Sequence, residues 1–277
     1  MNLSGFGVWF GRSVPGADHA KTARLAEDLG FCAVWLGGSP RLGQLRPMLE
    51  ATQSIVLATG IVNIWQYGPR ALAREFTELD RDFPDRTLLG LGIGHPESTS
   101  EYQAPLAKTR VFLDGLAAAS PPVPRGRMVL AALGPKMLDL SFERTLGTHP
   151  YFSPVEHTRF ARERLGSAAM VAPELAVVID ENQERGRTRA REYARTYLRL
   201  SNYTANLRRL GWSEADLAGE GSDELIDAVV PQGSAASVAA VARAHAAAGA
   251  DHVCLQAVGV KGVPEAEWTA LAAALGL

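Results

Sequence analysis

Residues 52–96, TQSIVLATGIVNIWQYGPRALAREFTELDRDFPDRTLLGLGIGHP, constrain the fold more than any other stretch. Residues 55–61 form a short apolar, β-branched run, the pattern of a strand buried on both faces in a parallel sheet. Gly68-Pro69 then opens a helix, since proline at the first helical position loses only an N–H that would be unpaired there anyway. Leu72, Phe76, Leu79 and Phe83 recur at spacings of four, three and four and make one apolar stripe. Arg74–Glu78 and Glu78–Arg81 lie on another face at spacings that favour ion pairs. Pro84 stops the helix, and residues 87–92 are a second buried strand. Strand, crossover helix and strand make a βαβ unit with parallel strands and a right-handed crossover.

Both strands of this unit end in glycine, the first in Thr59-Gly60-Ile61-Val62-Asn63 and the second in Gly90-Leu91-Gly92-Ile93-Gly94-His95. Glycine weakens a strand, so its place at a strand end marks either a tight turn or the close approach of a ligand. Two neighbouring strands ending this way favour a site.

The same grammar runs along the whole chain. Further strands are expected at 5–10, 33–36, 128–133, 148–151, 174–179 and 253–258. Helices are expected after the Asp18 cap, at 109–119, from 136 to about 146, at 154–165, at 185–210 as one long charged helix, at 234–248 and at 264–275. Residues 95–106 read as a loop rich in Pro, Ser and Glu. Alternation of eight strands with helices means a parallel sheet, and about 250 residues is the size of a (β/α)8 TIM barrel. One domain over residues 1–277 fits without remainder. The rival is an open sheet with a dinucleotide site, but Gly90, Gly92 and Gly94 space as G-x-G-x-G, not as G-x-G-x-x-G. Barrels of this kind place their sites at the C-terminal ends of the strands. That gathers Trp9, Gly38, Ser39, Gly60, Asn63, Gly92, His95, His149 and Gln256.

Composition excludes several classes. The formal net charge is -2, from 28 basic and 30 acidic residues, which offers no field to attract nucleic acid. Cys32 and Cys254 sit in apolar runs, as core thiols of a reducing compartment do. No signal-peptide pattern and no run of eighteen apolar residues is visible, so the cytoplasm is expected and a membrane partner is not. The histidines show no metal-ligand spacing, and no G-x-S-x-G elbow appears. His95 is read either as a ligand contact at the site mouth or as a loop hydrogen-bonding residue; His149 either as a site residue or as a core histidine. Trp9 and Trp65 are candidates to wall a pocket, and Trp35 is a core residue. Arg185, Arg187, Arg189, Arg191 and Arg195 make a solvated helix face with Glu181, Glu184 and Glu192, or else meet an anionic ligand tail.

Five ordered segments, LAEDLGFCAVWLGG, LATGIVNIWQYGPRALAREFTELD, RTLLGLGIGHPE, GTHPYFSPVEHT and AGADHVCLQAV, resemble the bacterial luciferase-like superfamily. Within it they are most similar to oxidoreductases that use the deazaflavin coenzyme F420, on a scaffold shared with enzymes that use flavin mononucleotide (FMN). The resemblance implies a luciferase-like barrel, a homodimer, that binds F420, with FMN as the alternative. Carried over by position, Gly37, Gly38 and Ser39 lie beside the ring, and Gly60 and Ile61 match a bulge with a non-prolyl cis peptide. Asn63, Gly92, Gly94 and His95 complete the strand ends at the cofactor, and Val155, Glu156, His157 and Thr158 match the loop and helix start that receive its phosphate. Characterised relatives place an acidic residue or a histidine where this chain has Gly37-Gly38-Ser39. Protons then come from elsewhere, or the substrate class differs, or the protein binds cofactor without turnover. The catalytic candidates are His95 and Ser39, with His95 ahead because a serine hydroxyl does not readily give up a proton at neutral pH. The implied activity is hydride transfer between the deazaflavin and a small organic substrate. An FMN-dependent monooxygenase and a non-catalytic cofactor-binding protein are the alternatives.

Overall fold

The computed structural model, which describes residues 1–98 and 102–277, is built on eight parallel strands in the expected order. They are β1 (Gly5–Gly11), β2 (Ala33–Gly37), β3 (Val56–Thr59), β4 (Thr87–Gly92), β5 (Met128–Leu130) and β6 (Gly147–Thr148). β7 comes in two pieces, Met170–Val171 and Glu174–Ile179, and β8 is His252–Ala257. Each strand pairs in parallel with the next, and β8 returns to β1 through Gly5↔His252 to Val8↔Leu255. The two pieces of β7 close the ring. Met170–Val171 pairs with β6 and Glu174–Val177 with β8, while Ala172 N donates to the Thr148 carbonyl (2.9 Å) and the Pro173 carbonyl accepts from Cys254 N (2.9 Å). The expected (β/α)8 barrel is borne out.

Alternation along the strands divides the side chains between two cores. Trp35, Ala58, Leu88, Val129, Ala172 and Cys254 point inward and pack together in the barrel lumen. Leu36, Leu57, Leu89, Leu175 and Leu255 point outward, against helix residues such as Leu72, Phe76, Leu113 and Trp268. The Pro69–Asp82 helix buries Leu72, Phe76 and Leu79 as its stripe predicts, and Asp18 caps the first helix by accepting from Lys21 N. Among the described residues no helix is long and apolar enough to cross a membrane.

Several elements differ from the sequence reading. The strand expected at 55–61 stops at Thr59, and pairing with β4 resumes at Val62–Asn63. The cis peptide among the described residues is Ser120–Pro121, so the Gly60–Ile61 link is trans, contrary to expectation. Gly60 N keeps a ladder bond to the Leu36 carbonyl (2.8 Å), and the short Val62–Asn63 strand carries the chain onward. β5 ends at Leu130 and β6 is Gly147–Thr148, both shorter than expected because the chain turns early into the site. The helix expected from 109 starts at Pro105, and the Arg46–Ala51 helix had no expectation behind it. Residues 99–101 of the expected loop lie outside the described residues.

The largest departure is the long helix expected at 185–210. It is two helices, Gln183–Tyr197 and Ser201–Arg209, with Leu200 extended between them (φ −97, ψ 119). A straight helix would carry Tyr203 and Leu207 into solvent. The break folds them back onto a third core with Phe152, Ala176, Ile226 and Val230.

Gly147 is where strands approach closest: a Cβ there would overlap the Met170 carbonyl oxygen and lie 2.6 Å from Met170 N. Gly147→Ala should therefore cost about 3 kcal/mol, as overpacking against backbone does. Urea unfolding checks this, and a midpoint equal to that of the parent protein would show the β6–β7 contact to be looser than described.

Candidate functional site

The C-terminal strand ends open into a cavity of about 600 Å³. That is the size of a small-molecule or cofactor site. Trp9, Gly38, Ser39, Gly60, Ile61, Asn63, Gly92, Gly94, His95 and His149 line it from the barrel side. Leu133, Gly134, Met137, Tyr151 and Tyr102 add to the wall, and Tyr197, Asn202, Tyr203, Ala205 and Arg209 close it from the broken helix pair.

Glycine sets the shape of the floor. A Cβ on Gly60 would lie 2.8 Å from Trp9 Nε1, and one on Gly37 would overlap the same indole. Trp9 thus lies across the lumen over two bare strand ends, with Tyr151 at 5.9 Å between ring centroids. Gly37 serves this tryptophan and does not line the cavity, unlike Gly38 and Ser39. Ser39 has a left-handed backbone (φ 55); its hydroxyl donates to Gln66 Oε1 (3.0 Å) and accepts from Asn63 N (3.0 Å). Its one hydroxyl hydrogen is thus engaged by Gln66, and the two bonds tie the end of β2 to the segment that follows β3.

His95 and His149 stand in different surroundings. His95 Nδ1 donates to Asn202 Oδ1 (3.1 Å), and its ring lies 5.3 Å from that of Tyr203. Desolvation holds its pKa below the usual histidine value. His149 is buried at the base of the cavity, stacked on Trp35 at 4.0 Å and 13°, with Nδ1 donating to the Ala172 carbonyl (2.7 Å). Trp35 Nε1 in turn donates to His252 Nε2 (2.9 Å), which leaves His252 Nδ1 to donate to the Leu3 carbonyl (3.1 Å). Burial pushes His149 down to about 4 and His252 to about 3, so both are neutral imidazoles at pH 7.

One wall is a cluster of phenols. The Tyr151 hydroxyl meets those of Tyr193 (2.6 Å) and Tyr197 (3.0 Å) and donates to Gln256 Oε1 (2.8 Å). Gln256, expected at the mouth, sits behind Tyr151 as its acceptor. Below the cluster is Glu174, 1% exposed, whose Oε2 accepts from Phe152 N (3.3 Å). Burial raises its pKa to about 8, and burial, followed by the nearness of Glu174, raises those of Tyr151 and Tyr193.

Other expected site residues are not brought here. Val155, Glu156, His157 and Thr158 open the Val155–Leu165 helix but do not line the cavity. His157 Nε2 donates to the Leu133 carbonyl (3.0 Å) and Thr158 Oγ1 bonds His245 Nδ1 (2.8 Å), so their polar atoms face inward among helices. Trp65 turns away as well, its Nε1 on the Ile93 carbonyl (2.8 Å). The arginine cluster is tied up elsewhere, and not by Glu181, Glu184 or Glu192. Arg185 and Arg189 hold Asp180, Arg187 holds Asp223 and Asp227, and Arg191 and Arg195 pair with Asp223 and Glu220. The sequence reading missed Tyr203, Asn202 and Arg209. Arg209 is the only Lys, Arg, Asp or Glu on the cavity wall among the described residues, and its Nη1 donates to Asn206 Oδ1 (2.8 Å). A faint signal was available, since Tyr193, Tyr197 and Tyr203 are large apolar groups in an otherwise charged segment.

Residues 3–114 match the family model of the luciferase-like monooxygenases. A protein of Mycobacterium tuberculosis, provisionally assigned as a coenzyme F420-dependent oxidoreductase, is 29% identical over 156 residues, 52% of this chain and 43% of that protein. The matched region is thus less than half the length of this relative. Among solved structures, an F420-dependent secondary alcohol dehydrogenase with an F420–acetone adduct superposes with a TM-score of 0.76 at 14% identity, covering 99% of both chains. The oxygenating constituent of 3,6-diketocamphane monooxygenase from Pseudomonas putida, with FMN, gives 0.70 at 14% identity over 98% of this chain and 96% of that one. The resemblance to luciferase-like proteins is borne out over residues 3–114, which hold three of the five segments, and the solved structures bear out the fold.

Glu174 makes stability depend on pH in a set direction. Its folded pKa, about 8, lies above the ordinary glutamate value of 4.5. Between these values the folded state binds the extra proton, so wild-type stability falls as pH rises, with a slope approaching about 1.4 kcal/mol per pH unit. Glu174→Gln should remove that slope and be the more stable protein at pH 8. Denaturation midpoints of both proteins from pH 5 to 8 check it, and parallel curves would mean that Glu174 ionises freely.

Proposed function

Taking a luciferase-like barrel as the premise, we propose that this protein is an oxidoreductase that uses coenzyme F420 to act on a small organic substrate. The observation that carries the reading is the cavity itself: a site at the barrel mouth lined by glycines and aromatic rings, with Arg209 and no carboxylate on its wall among the described residues. An anionic cofactor with a flat ring suits such a site, because Gly38, Gly60, Gly92 and Gly94 line it together with the rings of Trp9, Tyr151 and Tyr203. The assignment of the mycobacterial relative supports F420. When bound, the deazaflavin supplies two-electron hydride transfer, having carbon where a flavin has N5.

The chain's own residues would hold and shield the reacting groups. Trp9, Ile93, Leu133, Met137 and Tyr203 exclude water from the ring, and Arg209 balances its charge. His95 is the ionisable group at the adjacent strand end, and its lowered pKa keeps it mostly neutral at pH 7. A step that needs its proton therefore quickens as pH falls below the ordinary histidine range. The FMN-bound neighbour favours a second reading, a flavin monooxygenase on the same scaffold. A binding protein without turnover is the third. A homodimer in a reducing compartment accompanies the proposal. Cys32 and Cys254 are free thiols with pKa values raised by burial, Cys32 to about 11.

Titration of the protein with F420 and with FMN, followed by ligand fluorescence, tests the cofactor. F420 should bind more tightly, and the reverse order would overturn the proposal in favour of the monooxygenase. With a competent substrate, His95→Ala should lower turnover by roughly 10²–10⁴-fold, the usual yield of a positioned acid, and Ser39→Ala far less. Equal losses would remove His95 from that role.

A further inference from the structure

Among the described residues that line the cavity, His149 carries the one buried polar atom without a hydrogen-bond partner, Nε2. The rest of the ring is fixed. The Ala172 carbonyl can only accept, so Nδ1 bears the proton and Nε2 presents a lone pair. Trp35 covers one face, and Trp35 is itself held by its bond to His252, so the imidazole cannot turn away to find a partner. A buried acceptor left unpaired costs about 1–3 kcal/mol, and a native structure keeps such a group where something else completes it.

We propose that His149 Nε2 accepts a hydrogen bond from an N–H or O–H on the edge of a heterocycle bound in the cavity, and so sets how deep and in which rotation the ring sits. The inference rests on the cofactor reading above and adds to it a named acceptor at the base of the site. It also selects a ligand class: rings with an in-plane donor, such as an imide N–H, over rings that present only acceptors. His149 is a positioning residue in this role and takes no part in the bond changes.

The experiment uses the intact chain with 5-deazariboflavin, whose ring has one N–H donor, and its 3-methyl derivative, which has none. Wild-type protein should bind the methylated ring roughly tenfold more weakly. His149→Phe, which keeps the stack on Trp35, should bind the two compounds alike and the parent ring roughly tenfold more weakly than wild type does. The ¹⁵N shift of the His149 ring nitrogen in wild type should move with 5-deazariboflavin and not with the methylated ring, a readout that stands even if the variant does not fold. Equal binding of both rings by wild type, or an unmoved shift, overturns the assignment while leaving the cofactor reading intact. Wild-type protein that binds neither 5-deazariboflavin nor F420 overturns both.

Discussion

The column of rings in the barrel lumen is the interaction on which the site depends. Trp35 stacks on His149 and bonds to His252, and His252 reaches the Leu3 carbonyl near the N-terminal rim. Such a column fits only because small residues face it. A Cβ on Gly7 would lie 2.7 Å from the His252 ring, and Gly37 and Gly60 leave room for Trp9 above. Large rings and bare strands therefore specify each other. The same column keeps two imidazoles neutral, since neither has a charged partner to offset the loss of water.

Much of this was legible in the sequence, and the reason is periodicity. The βαβ unit at 52–96 announced itself through a continuous apolar run and a helical stripe, signals that depend only on neighbouring residues. The barrel-side half of the site followed from glycine at strand ends, which is how Gly38, Gly60, Gly92 and His95 were found. The other half comes from a tertiary event. The helix break at Leu200 has no proline or glycine to mark it; it exists because Tyr203 and Leu207 gain more from burial than the helix gains from continuing. Arg209 and Asn202 ride on that event, so no local pattern pointed to them. That Val155, Glu156, His157 and Thr158 do not line the cavity has a related reason. A helix start is visible in sequence, but which way His157 and Thr158 face is decided by their partners Leu133 and His245.

The cavity is thus a seam between two cores that are packed separately. Its floor belongs to the strands and its roof to the cluster around Tyr203, Leu207 and Ile226. The phenols of Tyr151, Tyr193 and Tyr197 stitch the two together through Gln256 on β8. Their hydroxyls bond to one another and to Gln256, so this contact is polar without ion pairs. It anchors the roof without adding a charge to the cavity wall.

One consequence concerns how such a site changes over time. The Ser201–Arg209 helix shows the cavity one face, with Asn202, Ala205 and Arg209, and gives its own small core the other, with Asn206 and Leu207. Tyr203 belongs to both faces, but Asn202, Ala205 and Arg209 line the cavity without being part of that core. Exchanges at 202, 205 and 209 therefore trade one clientele for another at little expense to the architecture, whereas the strand ends, wedged against Trp9, have almost no such freedom. The roof is the improvisable half of the molecule and the floor its fixed grammar.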